Sequence, residues 1–368
     1  IKSLTKINPT QFTVKLFKRN VKFIRQLSYP EFGILHKLDY EKAAGELEFK
    51  ITSGPYSIKE FSKKKFELIK NNYYTFFEKT APKRVRFQWT DIENKLHGLK
   101  TGKTQFIIPF SGFTQKHSQD FSNNKDIKSF IPHIGYSFWF SFNSKSKKVS
   151  DQKVRNWIQS QLYSKNLNFK ETGPAWSPAK QLYLPDGLGR PSEKEIDQIW
   201  GEINKTSAPE NIPKELSLLG DINFPFNNQI ETIFKKLGIK INCHYVSSSE
   251  EYFKILKIKK FDIILARNDF SSVDLHENLQ TTFHPNHPLV YTSQSDDQYQ
   301  AKLKNALVME EESARHKEYS LIAKDILKKG YIIPIAYNRV LFMFEKNIDI
   351  SAWSTLFPEV SLWKLKIK

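Results

Sequence analysis

From residue 150 to the end of the chain, short apolar runs alternate with segments of helical periodicity. That pattern leaves few options other than strand–helix units built around a mainly parallel sheet. Asp151 is a good N-cap for a helix whose apolar stripe is Val154, Trp157, Ile158 and Leu162. A second helix carries Ile230, Ile233, Phe234 and Leu237, stops at Gly238 and leads into a strand over residues 239–246. Phe261-Asp262-Ile263-Ile264-Leu265-Ala266 reads as a buried strand. Residues 310–329 give the clearest helix, opened by Glu310-Glu311-Glu312, striped by Tyr319, Ile322, Ala323, Ile326 and Leu327, and stopped at Gly330. The strand that follows, Tyr331-Ile332-Ile333-Pro334-Ile335-Ala336-Tyr337, contains a proline, which points to a sheet edge or a bulge. Residues 171–191 hold Pro174, Pro178, Pro185 and Pro191 and read as a long irregular loop.

The first 143 residues are richer in strands. Strand patterns cover residues 10–17, the stretch after the Ser53-Gly54-Pro55 turn, Phe66-Glu67-Leu68-Ile69-Lys70, residues 84–89, residues 106–108 and residues 137–142. One short helix follows Asp91, with Ile92, Leu96 and Leu99 on one stripe and Gly102 at its end. A length of 368 residues implies two compact lobes, and 29 Phe, 15 Tyr and 7 Trp supply core material that a disordered chain would lack. No stretch approaches the ~18 uninterrupted apolar residues of a membrane-spanning helix. A single cysteine, Cys243, excludes an intramolecular disulfide and a thiolate zinc cluster. The opening Ile1-Lys2-Ser3-Leu4 carries neither an initiator Met nor a signal segment, as expected of a processed or trimmed product.

The formal charge of +18 is uneven, with 25 Lys and Arg against 12 Asp and Glu in residues 1–143, and 32 against 27 in the remainder. Nucleic acid, an anionic surface or acidic ligands are all compatible with such an excess. The basic runs Lys63-Lys64-Lys65, Lys145-Ser146-Lys147-Lys148 and Lys257-Ile258-Lys259-Lys260 read as solvated lysines, because the neighbouring aromatics fall at core-periodic positions. Nucleic acid is therefore not the favoured partner. There is no phosphate-cradling glycine loop, no Gly-x-Ser-x-Gly and no His-Glu-x-x-His. Cys243 and His244 are strand neighbours pointing to opposite faces, so Cys243 reads as a buried inert thiol. Asp274, His276, Glu277, His284 and His287 form the densest polar cluster, but Pro285 and Pro288 make it a loop without metal-ligand spacing. No metal and no cofactor are expected, and no motif supports an enzyme.

Several segments, in order, resemble the extracellular solute-binding proteins of family 5, which serve oligopeptide and dipeptide ABC importers. They are Ile51-Thr52-Ser53-Gly54-Pro55-Tyr56, Asn71-Asn72-Tyr73-Tyr74, Leu96-His97-Gly98-Leu99-Lys100-Thr101-Gly102, and Phe140-Ser141-Phe142-Asn143 followed by Asp151-Gln152-Lys153-Val154-Arg155. Leu237-Gly238-Ile239-Lys240-Ile241, Phe261-Asp262-Ile263-Ile264, Tyr291 to Asp297, Arg315 and Ile332-Ile333-Pro334-Ile335 extend the match to most of the chain.

The resemblance implies an α/β fold of the two-lobed periplasmic-binding-protein type (type II). Its hinge is crossed twice, near Asn143 and again near residues 338–345. Residues 1–143, joined by 343–368, would form the first lobe and residues 144–342 the second. Family members have roughly a hundred more residues before the strand at 10–17, so the first lobe is expected to be incomplete at its N-terminus. The implied function is capture of a peptide or other small solute for an ABC permease, without chemistry, by a monomer that is periplasmic or anchored outside the cell as a lipoprotein. The loop after the Phe-Asp strand would hold the ligand. Asp269 and Asp274 are the candidate carboxylates for its amino group, Phe270 stands where the family has Trp, and Ser271, Ser272 and Asn143 complete the set. Arg155 is expected to be a structural ion-pair partner near the hinge, and Tyr56 a packing residue. The alternative is a solute-binding fold reused for regulatory or polyanion binding.

Overall fold

The computed structural model describes residues 1–27, 52–62, 65–107, 121, 124–131, 135–143, 146–163, 166–170, 172–173, 175–185, 187–258, 260–268, 275–276, 278–279, 297–353 and 361–368. Tertiary contacts divide the chain into two compact units. One comprises Ile1–Phe32, Tyr136–Asn168 and Ser177–Asn338; the other comprises Gly33–Gly135, Phe169–Trp176 and Arg339–Lys368. This division assigns the first 32 residues to the unit of the later strand–helix region, whereas the lobes expected from the sequence group them with residues up to 143.

The larger unit is organised by β8 (Gly135–Phe142), whose side chains are buried at every position except Tyr136. A strand sealed on both faces must lie inside a sheet with layers on either side. It does: in a six-stranded sheet the order is β11 (Lys240–Val246), β10 (Glu215–Asp221), β12 (Ile263–Asn268), β8, β13 (Ile332–Arg339) and β9 (Trp176–Pro178). β10 pairs in parallel with β11 and with β12, whereas β8 runs antiparallel to β12, with Phe142 opposite Ile263 and Ser137 opposite Asn268. The Phe142 N–H donates to the Tyr331 carbonyl, just before β13, so the C-terminus of β8 meets the start of β13 and these two also run oppositely. β9 lies within the stretch expected to be an irregular loop. Likewise Pro334 does not mark an edge strand: β13 is flanked on both sides, and the stretch paired with β9 begins only at Ile335, whose carbonyl accepts from Ala179 N–H.

The longer helices of this unit among the described residues are α2 (Gln152–Gln161), α3 (Glu193–Ile203), α4 (Asn227–Lys236), α5 (Ser249–Ile258), α6 (Asp297–Ala306) and α7 (Glu312–Lys328). α2 starts as expected, with the Asp151 carboxylate accepting from Lys153 N–H, and it buries Val154, Trp157 and Ile158. α7 buries Tyr319, Ile322, Ala323, Ile326 and Leu327, the five residues of its predicted stripe. The first four join Trp139, Tyr183, Ala266, Leu275 and Ile332 in one core cluster, while Leu327 packs with Tyr163, Ile196 and Trp200 in another.

Arg155 is structural, and among the described residues it acts through carbonyl groups rather than an ion pair. Its guanidinium donates to the carbonyls of Val149 (3.0 Å), Ser150 (2.6 Å) and Lys329 (3.0 and 3.3 Å), closing the C-terminus of α7 onto α2. Cation donors there satisfy carbonyls that the helix leaves open. The next residue, Gly330, has φ +63°, and a Cβ placed on it would stand 2.2 Å from Asn156 Oδ1. Only glycine fits that turn. At its N-terminal end this unit carries the hairpin β1 (Ser3–Asn8) and β2 (Gln11–Lys15).

The smaller unit is built of antiparallel sheets. β3 (Tyr56–Phe61), β4 (Phe66–Lys70) and β5 (Arg84–Phe87) form one. β6 (Phe106–Ile107), β14 (Phe342–Glu345) and β7 (Ile127–Phe130) form another, and β15 (Ile348–Asp349) pairs with β16 (Lys366–Ile367). The helix α1 (Ile92–Lys100) begins at Asp91, whose side chain accepts from Asn94 N–H. Its Leu96 and Leu99 pack with Ile107, Leu341 and Met343. Tyr56 packs edge-on against Phe77 and donates its hydroxyl to the Pro82 carbonyl at 2.8 Å, which is the packing role expected of it.

Candidate functional site

With β8 inverted, the carboxyl ends of β10, β11, β12 and β13 all lie at one end of the large sheet, next to the first residues of β8. In open α/β sheets, the carboxyl ends of parallel strands are where backbone and loop groups are left to meet ligands. The chain leaves β12 there after Asn268 and is in the core again at Leu275, which is 2% exposed. The six residues between are the expected ligand loop. Asp269, Phe270, Ser271, Ser272 and Asp274 themselves lie outside the described residues.

What the structure does place at this end is polar and partly open. The Arg267 guanidinium sits 5.7 Å over the ring of Tyr136, which is 41% exposed. Beside them the Ser137 hydroxyl is fully buried and has no hydrogen-bond partner among the described residues. A buried hydroxyl without a partner is costly, on the order of 1–3 kcal/mol, and is a group a bound molecule can satisfy. None of Tyr136, Ser137 and Arg267 was singled out by sequence pattern. The only signal was their position: Tyr136 and Ser137 open β8, and Arg267 stands near the end of the Phe-Asp strand opposite them.

Asn143 occupies the other end of the same strand pair. Its side-chain amide donates to the Phe261 carbonyl at 3.1 Å and its backbone N–H donates to the Asp262 carbonyl at 2.9 Å. From the register, Asn143 stands beyond Phe142 opposite Ile263, five residues before Asn268 along β12. At ~3.3 Å per residue that is about 17 Å from the departure of the loop. The structure therefore does not bring Asn143 together with the start of the loop.

Asp262 organises that far end. Its carboxylate accepts from the Ser146 hydroxyl (2.5 Å), the Ser217 backbone N–H (2.8 Å) and the Ser217 hydroxyl (2.9 Å), with Lys148 Nζ at 3.5 Å. Burial pushes its pKa up, but these donors outweigh burial and hold it below the usual carboxylate range. Asp262 thus ties the loop after β8 to β10 and β12. Cys243, half-buried in β11, has its thiol pKa pushed up chiefly by burial, which disfavours the reactive thiolate. Of the polar cluster at 274–287, only His276 is described, and it is buried near the Tyr319 ring. Among the described residues, no three His, Cys, Asp or Glu side chains are grouped so as to hold a metal ion. No helix among them is long and apolar enough to cross a membrane.

Residues 1–159 match the family model described as bacterial extracellular solute-binding proteins, family 5, middle. No curated protein matches the chain. Similar solved structures include NikA from Brucella suis in complex with Fe(III)-EDTA, with a TM-score of 0.82 at 15% identity, covering 100% of this chain and 79% of that one. DppA from Helicobacter pylori, an ABC transporter-associated periplasmic binding protein in complex with the peptide STSA, has a TM-score of 0.78 at 17% identity, covering 100% and 74%. NikZ from Campylobacter jejuni in complex with Ni(L-His) has a TM-score of 0.77 at 16% identity, covering 99% and 78%. At these identities the likeness shows the fold, the α/β periplasmic-binding-protein architecture of type II expected from the motifs. Family 5 of the bacterial extracellular solute-binding proteins is thus matched by sequence over residues 1–159, and the type II periplasmic-binding-protein fold along the whole chain.

Proposed function

We propose that this protein is a receptor that captures a peptide-like solute outside the cytoplasm and delivers it to an ABC-type permease, without chemistry on the solute. The observation that carries this reading is the family match over residues 1–159. The open polar end of the large sheet supports it, with the Ser137 hydroxyl, unpartnered among the described residues, next to the strand from which the 269–274 loop departs. The two lobes of this reading are residues 1–143 with 343–368, and residues 144–342. Asp274 or Asp269 anchors the solute's amino group, Phe270 walls the pocket, and Ser271 and Ser272 supply hydrogen bonds. Asn143 is left out of the contact set because its amide is committed to the Phe261 carbonyl.

The test is a thermal-shift and calorimetric screen against pools of di- to pentapeptides, with a nickel–histidine chelate as a separate arm. A ligand at a hundred times its Kd stabilises by about 2.7 kcal/mol, which is readily seen as a raised Tm. The expected result is saturable binding of intact peptides, weakened tenfold or more by Asp274→Asn or Asp269→Asn. Cleavage of the peptides would refute the receptor reading. Binding of the chelate alone would refute the peptide assignment.

A further inference from the structure

The smaller unit carries a concentration of positive charge that solute capture does not use. Glu67, at the centre of the β3-β4-β5 sheet, is 1% exposed, yet four cations converge on its carboxylate. Lys59 Nζ and Arg84 Nε each lie 3.1 Å from Oε1, while Arg86 at 3.5 Å and Lys65 at 3.7 Å approach Oε2. Among the described residues, only Lys65 has a second acidic partner, Glu60. The four side chains remain 39–61% exposed, so their heads stay in water while their stems roof the carboxylate. Arg84 reaches Glu67 with Nε while its side chain is 59% exposed, and the Arg86 contact, at 3.5 Å, is longer than a good hydrogen bond. Neutralising one buried carboxylate needs one cation. Even with Glu60 counted, two positive charges are left over on one flat face.

Register decides what such a face can hold. Glu67 pairs with Arg86, and Ile69 with Arg84, so the two arginines stand two residues apart on the Glu67 face, about 7 Å from one another. Phe66, paired with Phe61 on one side and Phe87 on the other, occupies the opposite face, where Trp89 also stacks on it. The exposed aromatics Phe61 and Trp89, 68% and 58% exposed, therefore lie away from the cations. A single-stranded nucleic acid needs stacking rings and cations on the same surface. This sheet separates them.

We infer that the Lys59, Lys65, Arg84 and Arg86 face binds a linear anionic glycan bearing sulfate or phosphate esters, gripped by charge alone. A flat, hydrated face gives little affinity for a lone anion, whereas a chain of them engages all four cations at once.

The test uses heparin as a sulfated probe, with an oligothymidylate of matched charge in parallel, measured by fluorescence anisotropy on the full chain between 50 and 200 mM salt. For a linear polyanion with condensed counterions, each uncompensated cation contributes a log–log salt slope of about −0.9, so the two left over predict a roughly 12-fold loss of affinity over that range. Arg84→Ala with Arg86→Ala removes both, and the salt dependence should all but vanish. Both arginines are exposed, and an unchanged Tm shows that the double variant is folded. Lys235→Ala with Lys240→Ala, in the other unit, is the control and should leave both affinity and slope unaltered. Three results would each overturn the proposal: no binding of heparin, an equal loss in the control, or tighter and less salt-dependent binding of oligothymidylate.

Discussion

Replacing Asp262 by Asn keeps its shape and removes its charge, and the structure sets the cost. The carboxylate collects three short hydrogen bonds from Ser146 and Ser217. In Asp262→Asn the remaining carbonyl oxygen can keep both Ser217 donors, and the Ser146 hydroxyl can turn to accept from the new amide. All three contacts survive in neutral form, so what disappears is charge assistance, on the order of 1 kcal/mol per bond. Relief of the buried charge returns part of that, and the half-exposed Lys148 adds little. The net destabilisation at pH 7 should be about 2 kcal/mol. Its pH dependence has a definite sign. Because the folded-state pKa of Asp262 is depressed, its stabilisation is present above the unfolded value near ~3.9 and is lost as pH falls through the folded value. The Asn variant does not titrate there, so the gap between the two proteins should close below about pH 4. Urea unfolding of both proteins at pH 7, 4 and 3 measures it. A gap under 0.5 kcal/mol at pH 7 (about a quarter of that expected), or one that stays constant to pH 3, would refute the hub assigned to Asp262.

Two further substitutions probe the junction of α2 and α7. Gly330→Ala must place a side chain at φ +63° and against Asn156, so it should cost at least about 2 kcal/mol and lower the Tm by several degrees; a Tm within error of the parent contradicts the turn geometry. Arg155→Ala strands the carbonyls of Val149, Ser150 and Lys329 and should cost about 3 kcal/mol. Arg155→Lys should recover little of that, because one ammonium cannot span three acceptors; full recovery would mean that charge, not the fork, is what matters there.

Where local physics and tertiary context agreed, the sequence was easy to read. α7, α2 and α1 each had an apolar stripe, an acidic cap and a glycine or an apolar residue closing the end, and each forms within two residues of its predicted bounds. β4 falls on the five residues expected of it. The losses have physical causes. α3 has a complete capping box, with Ser192 and Glu195 bonded reciprocally, but it follows a run of prolines and glycines that reads as loop. β10 carries Gly220 and a Ser between its leucines, weakening the strand pattern although its Leu216, Leu218 and Leu219 are buried. Pro334 misled because interior position is a property of the assembled sheet, not of the segment. The carboxyl-end site was legible only through the family motifs. Tyr136, Ser137 and Arg267 acquire meaning from strand order, which no local window contains. The cations around Glu67 were visible as scattered charges, and only the register of three strands gathers them.

The inverted central strand has a bearing on how the polypeptide matures. β8 is made early, yet both its neighbours come late: Asn143 bonds to Phe261 across 118 positions, and β13 ends at Arg339. Non-local pairings of this kind pay chain entropy before they return any stability, which makes their formation slow. A nascent chain must therefore hold the apolar segment Phe138-Trp139-Phe140 unpaired at least until β12 has been synthesised, more than a hundred residues later. Over that interval the exposed aromatic segment is an aggregation hazard, which general chaperones counter in chains of this size.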